Sequence, residues 1–386
     1  MAEALIFDGH NDLPWALRQK FDSRVEEIDL SQHQPSLHTD IPRLREGRVG
    51  AQFWSVFVPS NMLPADAVVA TLEQIDCVHR IMSEYPETFS LVDTAAGVRT
   101  AVEKGLIASL MGIEGGHSID SSLGVLRMMR RVGVRYMTLT HNDNTPWARS
   151  ATGEQVGYGL TGFGRSVIAE MNDLGIIVDL SHVAEQTMHN TLDITRAPVM
   201  FSHSSCRNVT DHVRNVPDSV LERLPENGGV LMLTFVPAFI SNACAEHEQR
   251  SDDIRKRLGL RTGFHAGHVD EDEAAISEYA RWTSQNPPPH ATIADVVKHV
   301  EHAREVVGPQ HLGIGGDFDG IERLPRGITG VSSYPVVKMA LAERGWSAAD
   351  LRSLAFGNVL RVLEDAERVA NQQTDDDSMQ NATVGH

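Results

Sequence analysis

Eight short apolar runs alternate with helical patterns along this 386-residue chain, and six of the runs end in His, Glu or Asp. These two observations predict an α/β fold of the TIM (β/α)8 barrel class, with an insertion after the seventh strand. The runs are Ala4–Phe7, Val49–Val58, Leu106–Ile113, Tyr136–Thr140, Gly175–Leu180, Pro198–Phe201, Gly229–Phe235 and Leu312–Gly316. They are short, rich in β-branched residues and bounded by Gly or polar residues, as strands buried on both faces are. Helical spacing is found at Ala65–Glu84, Asp93–Glu103, Ser122–Val132, Gly164–Leu174, Ala184–Leu192, Pro217–Leu224 and Thr292–Val307. Val336–Ala342 and Ser347–Ala366 follow the eighth strand. Thr292 with Asp295, and Ser347 with Asp350, have the spacing of helix N-terminal caps, and Gly345 reads as a stop. The alternative is a doubly wound sheet. It is disfavoured because no glycine-rich fingerprint follows the first strand and because polar clusters sit at strand ends along the whole chain.

Residues 1–366 are therefore read as one catalytic barrel, and 241–290 as an insertion in the loop after the seventh strand. That insertion carries Arg255–Arg257, Asp270–Glu273 and Pro287–Pro289, and reads either as a partly helical cover over the barrel mouth or as a surface excursion. Residues 367–386 are polar and acidic and are expected to be a disordered tail. The formal charge of −18 and the absence of a basic cluster argue against nucleic acid and anionic membranes as partners. No apolar run approaches the roughly 18 residues of a membrane span. Cys77, Cys206 and Cys244 are far apart and odd in number, which predicts free thiols in a reducing, cytoplasmic setting.

The strand ends carry the chemistry. His10 and Asp12 lie two apart after the first strand and would project together. Taken alone, they could be a capped strand end. The same event recurs at Glu114, His182 and His203, giving three imidazoles and two carboxylates. Five candidate ligands suit two divalent metals sharing one ligand, and Glu114 is the natural bridge because its two oxygens can serve one metal each. The first metal would take His10, Asp12 and Glu114; the second would take Glu114, His182 and His203. Two such ions can activate a shared water as a hydroxide nucleophile. Serine nucleophiles at Ser181, Ser202 or Ser204 are disfavoured, since no Gly-x-Ser-x-Gly elbow surrounds them.

Several motifs then run in order over the whole barrel: DGHNDLPW from Asp8, GIEGGH at Gly112–His117, LTHN at Leu139–Asn142, DLSH at Asp179–His182, FSHSS at Phe201–Ser205, RNVPD at Arg214–Asp218 and GGDFDG at Gly315–Gly320. As a set they resemble the membrane (renal-type) dipeptidases, peptidase family M19, metallopeptidases of the amidohydrolase-like barrel superfamily. The resemblance implies two zinc ions per subunit on the same five ligands, a homodimer, and hydrolysis of dipeptides with tolerance of a D-residue at the C-terminal position. It also implies His141, Arg214 and Asp317 around the substrate. Arg214 can grip a carboxylate with a bidentate fork. His141 can polarise the scissile carbonyl. Asp317 can carry the proton from the attacking water to the leaving amine, with Asp319 as the competing acid.

Secreted members of that family carry a signal, disulfides and a lipid anchor; none is recognised here, so the chain is similar to the soluble bacterial branch. Family members can present tyrosines after the seventh strand, where this chain has Phe235-Val236-Pro237-Ala238-Phe239. The competing function is a metal-dependent amidohydrolase acting on N-acyl amino acids or cyclic amides. Its lysine-bridged subtypes are disfavoured, because no lysine ends a predicted strand. A non-catalytic metal-binding protein would not need His141, Arg214 and Asp317 at the open metal positions.

Overall fold

A computed structural model describes residues 5–262 and 272–384. Ala4 of the first predicted strand, Asp270 and Glu271 of the acidic cluster, and residues 385–386 of the tail lie outside the described residues. Among the described residues nine strands form: β1 (Ile6–Asn11), β2 (Val49–Phe57), β3 (Phe89–Leu91), β4 (Ile107–Glu114), β5 (Val134–Thr138), β6 (Ile177–Asp179), β7 (Met200–Ser204), β8 (Val230–Leu233) and β9 (Leu312–Ile314). All but β3 close a parallel barrel, in which β2 pairs with β4 and β9 returns to β1. Each closing strand coincides with one of the eight apolar runs. β3 is an addition that pairs beside the start of β4, with Phe89 opposite Ile107. Three residues give no readable period, which is why the sequence does not announce it.

Successive strand residues point alternately into and out of the barrel. Phe7, Phe53, Leu110, Tyr136, Met200 and Met232 fill the interior, while Ile6, Trp54, Met111, Phe201 and Leu231 face the helices. Of the four register shifts in the sheet, two lie at strand ends that carry a His and break this alternation there. In β1, three steps from Asp8 to Asn11 match two steps in β2, from Gln52 to Trp54. In β7, three steps from Phe201 to Ser204 match two in β8, from Leu231 to Leu233. Each shift is a β-bulge, which inserts one residue and re-aims the side chains beyond it. Strict alternation would send His10 out with Ile6 and His203 out with Phe201; the bulges turn both rings inward.

The helices follow the expected pattern with small changes at the ends. Thr292 and Asp295 form a reciprocal capping box, and the Ser347 hydroxyl accepts from the Asp350 N–H. Two helices between the first strands, Leu13–Phe21 and Ile41–Glu46, were not expected. Both carry a proline in the first turn, where its missing N–H costs nothing. The inserted region forms a hairpin of helices, Asn242–Arg257 and Glu273–Gln285. Ser251 and Tyr279 hydroxyls meet at 2.7 Å, and the Arg255 guanidinium lies 4.6 Å over the Tyr279 ring. The hairpin touches the loop after β7 through Asn242 on the Val209 carbonyl and Glu248 on His212.

The expected disordered tail is corrected. Residues 367–384 continue the last helix, Asn358–Val384. Its composition is polar, but its root is held inside the fold. Val359, Val362, Leu363 and Ala366 are fully buried against Phe7, Met200 and Met232 and close the end of the barrel opposite the His cluster. Glu367 accepts from the Ala95 N–H at 2.9 Å, and Arg196 donates to Gln373. Among the described residues, no helix is long and apolar enough to cross a membrane.

The tightest packing point lies where β9 meets β7. A Cβ at Gly315 would sit 1.8 Å from the Ser202 carbonyl oxygen, a backbone atom that cannot rotate away. Gly315→Ala should therefore cost at least about 1–3 kcal/mol of stability and lower the thermal unfolding midpoint. Gly124→Ala, in an open helical position, should leave that midpoint unchanged or raise it.

Candidate metal centre

The strand ends converge on Glu114, the last residue of β4, whose two oxygens face different partners. Oε2 lies 3.5 Å from His10 Nε2 and accepts from the Ser55 hydroxyl at 3.2 Å. Oε1 lies 3.0 Å from His182 Nε2 and 3.5 Å from His203 Nε2. His10 Nε2 is also 3.3 Å from Asp12 Oδ2. All five residues are buried. The structure thus brings together every ligand expected from the sequence, divided across one carboxylate. It also brings in all three residues expected around a substrate. His141 Nε2 is 3.7 Å from Glu114 Oε1, and Asp317 Oδ1 is 4.0 Å from His10 Nε2. Arg214, from the loop after β7, places Nη2 3.0 Å from His203 Nε2.

Local backbone holds these side chains in unusual directions. His182 has φ of 67°, Asp317 58° and Asp319 65°, all in the left-handed region. For non-glycine residues each costs on the order of 1–3 kcal/mol, and such strain gathers at functional sites. Asp319 is not at the cluster. Its Oδ1 accepts from the His38 N–H at 2.7 Å and its own N–H bonds the His38 ring, so it anchors a loop. The choice between the two acids is thereby a geometric one: Asp317 faces the cluster and Asp319 faces away.

Electrostatics divide the site. Burial holds the His182 and His203 rings well below the usual imidazole range, helped by Arg214 and the neighbouring imidazoles, so both are neutral with a lone pair to offer. Burial works the same way on His10, but the Tyr136 hydroxyl, Asp12 and Glu114 outweigh it and draw positive charge to that end. Burial also pushes the Glu114 and Asp317 carboxyls up, Asp317 strongly. Arg214 is lowered by burial to about 10 and stays charged near neutrality.

The donor set fits divalent metal ions. His10 Nε2 and Asp12 Oδ1 are buried without a hydrogen-bond partner, and the Nε2 atoms of His182 and His203 face each other at 2.9 Å. Neutral imidazoles and carboxylates in one buried pocket are the ligands that zinc-like ions take.

Some supporting residues were not singled out in the sequence. Tyr136, inside β5, reaches His10 Nδ1 with its hydroxyl at 2.8 Å, and its ring lies where a side chain at position 112 would be; Gly112 makes that room. Phe239 stands beneath the Arg214 guanidinium at 5.1 Å and stacks on His212 at 4.6 Å. Where a tyrosine hydroxyl was in question, this chain thus offers a ring face to the arginine. Gly320 is the third. A Cβ there would meet Asp12 Oδ2 at 2.2 Å and Asp317 Oδ1 at 2.7 Å. The spacing Asp-Phe-Asp-Gly was the available signal. Gly320→Ala should displace both carboxylates and weaken binding of the first divalent ion about tenfold or more, on the scale of misplaced metal-site residues. Equilibrium dialysis against zinc measures it, and the unfolding midpoint of the metal-free protein should stay close to that of the unsubstituted chain.

A family model described as membrane dipeptidase, peptidase family M19, matches residues 1–377. An uncharacterized dipeptidase of Schizosaccharomyces pombe is 43% identical over 376 residues, covering 94% of this chain and 81% of that protein. Dipeptidase 3 of Rattus norvegicus is 38% identical over 374 residues, covering 96% of this chain; the chain spans 66% of its length. Among solved structures, a metallo peptidase from Rhodobacter sphaeroides, liganded with a phosphinate mimic of the dipeptide L-Ala-D-Ala, shares the fold. It superposes with a TM-score of 0.76 at 23% identity, covering 94% of this chain and 100% of that one. On the family match and these relatives, the chain belongs to the membrane dipeptidase family, peptidase family M19, and is an enzyme of the metallo-dipeptidase class.

Proposed function

We propose that this enzyme hydrolyses the peptide bond of dipeptides, tolerating a D-residue at the C-terminal position, with two zinc ions on His10, Asp12, Glu114, His182 and His203. The observation that carries the two-ion reading is the split of Glu114, with Oε2 toward His10 and Oε1 toward His182 and His203. Bound there, the two ions would supply a water deprotonated near neutral pH as the nucleophile, and would polarise the carbonyl.

The chain's own residues do the rest. Arg214 grips the substrate's C-terminal carboxylate. Its Nη1 is buried without a partner and its charge survives burial, so an incoming carboxylate gains a charge-assisted bond to a donor already in place. This sets the length of substrate, because the carboxylate must lie one residue from the scissile bond. His141 Nε2, 3.7 Å from Glu114 Oε1, is close enough to the cluster to orient the carbonyl oxygen and offset its growing charge. Asp317 receives the proton of the attacking water and passes it to the leaving amine. Its raised proton affinity, caused by burial and by Asp12 and Glu114 nearby, suits both halves of that transfer. Support for the D-residue comes from the Rhodobacter sphaeroides peptidase, which is liganded with the L-Ala-D-Ala mimic. We place the enzyme in the cytoplasm as a homodimer; the three buried, free cysteines suit a reducing compartment.

Metal analysis should find about two divalent ions per chain, and Glu114→Gln should lose both metal and activity. Asp317→Asn should keep the metal and lose turnover by roughly 10²–10⁴-fold. Retained turnover would move the acid elsewhere. A screen of L-Xaa-D-Xaa and L-Xaa-L-Xaa dipeptides with added zinc tests the substrate class. Turnover of N-acyl amino acids with neither dipeptide series cut would favour the amidohydrolase reading. Arg214→Met should raise KM for dipeptides far more than for their C-terminal amides; equal effects on both would remove its carboxylate role.

A further inference from the structure

Asp179, the last residue of β6, lies fully buried beneath the His cluster. It has no place in the mechanism above, yet it accepts four hydrogen bonds. Oδ1 takes the backbone N–H groups of Ser181, at 3.1 Å, and Ser202, at 2.8 Å. Oδ2 takes the hydroxyls of Thr138 and Ser202, each at 2.6 Å. A carboxylate only accepts, so the single hydroxyl proton of Ser202 is committed to Asp179. The same Ser202 oxygen lies 2.8 Å from His203 Nδ1. Having spent its proton, it can only accept there. The ring proton of His203 therefore sits on Nδ1, and Nε2 keeps its lone pair. Arg214 gives an independent check from the other side of the ring. A guanidinium only donates, and its Nη2 is 3.0 Å from His203 Nε2, which must then be the acceptor.

We propose that Asp179 is a positioning residue for the second metal, acting through Ser202 to hold His203 in the tautomer whose Nε2 is free to bind an ion. The proposal rests on the reading of His203 as a metal ligand. The competing role is a polar bracket that merely ties β5, β6 and β7 together. Asp179→Asn separates the two. The backbone N–H groups on Oδ1 cannot reverse, so the amide nitrogen must take the Oδ2 position. There it donates to Ser202 and frees the Ser202 proton to turn toward His203 Nδ1. The ring proton moves to Nε2, where it opposes the metal, while the bracket keeps its bonds.

The test is equilibrium dialysis of the full-length protein against buffered zinc, with bound metal counted per chain. In Asp179→Asn the first zinc should bind as in the unsubstituted chain and the second about 10–100-fold more weakly, the usual effect of removing a ligand's supporting partner. Ser202→Ala should weaken the second zinc too. Thr138→Val removes a bond to the same carboxylate without touching the Ser202 proton, and should bind zinc normally. If Thr138→Val weakens zinc as much as Asp179→Asn, or Asp179→Asn binds both ions normally, the proposal is overturned. His203→Ala guards the underlying reading: if it still binds both zinc ions, His203 is not a ligand and both ideas fall. Should Asp179→Asn not fold, nitrogen NMR of the metal-free, unsubstituted protein decides instead. A proton on His203 Nδ1 supports the proposal, and a proton on Nε2 overturns it.

Discussion

The structure turns on a cost: three carboxylates, Asp12, Glu114 and Asp317, are buried together at one end of the barrel. Removing a charge from water costs several kcal/mol even after a protein relaxes around it, unless opposite charge and hydrogen bonds make it good. Here the offset comes from imidazoles and one arginine. Glu114 stands between His10 and the His182–His203 pair, and Arg214 reaches the same pair from a loop. Burial first, and then repulsion from Asp12 and Glu114, raises the proton affinity of Asp317. A pocket of that kind attracts divalent cations, and the protein's chemistry follows from it.

The barrel makes the arrangement affordable by fixing its floor and its rim separately. Below the cluster, Phe53, Tyr136 and Met232 fill the interior, and the last helix closes the far end with Val359 and Leu363. At the rim, two β-bulges and three left-handed residues aim side chains that regular strands would point elsewhere. Tyr136 joins the two levels, since its ring packs in the interior and its hydroxyl holds His10. Asp8, on the outer side of β1, performs a similar service for the last strand. It accepts from the Gly316 N–H at 2.9 Å and from the Tyr334 hydroxyl at 2.5 Å, which fixes the turn into Asp317. Burial pushes the Asp8 carboxyl up to about 6 despite these bonds. Such strain and buried charge persist only because dense packing leaves the chain no cheaper arrangement.

The inserted hairpin is linked to this centre by a run of contacts through a loop. Glu248 on its first helix meets His212 at 3.0 Å, the His212 ring stacks on Phe239, and Phe239 lies under Arg214. Its second helix buries no residue. The sequence leaves open a cover over the mouth or a surface excursion. The contacts instead run to the loop that carries Arg214, because the hairpin's charged and aromatic residues find partners there and its outer helix has no apolar stripe deep enough to enter the fold.

Local pattern by itself determined much of this protein. Strand period and length placed all eight barrel strands, and a His, Glu or Asp at each critical strand end named the residues that gather at the rim, since the rule that polar side chains collect at the C-terminal ends of barrel strands needs no distances. Three things were decided only by tertiary structure. Whether Asp317 or Asp319 faces the cluster depends on backbone angles after β9, which the sequence Asp-Phe-Asp does not distinguish. The inward turn of His10 and His203 depends on bulges set by the neighbouring strand, because a register shift belongs to a pair of strands and leaves no mark in either alone. The fate of residues 367–373 depends on what the helix root is buried against, since a polar segment becomes ordered when the chain it continues is packed beneath a barrel.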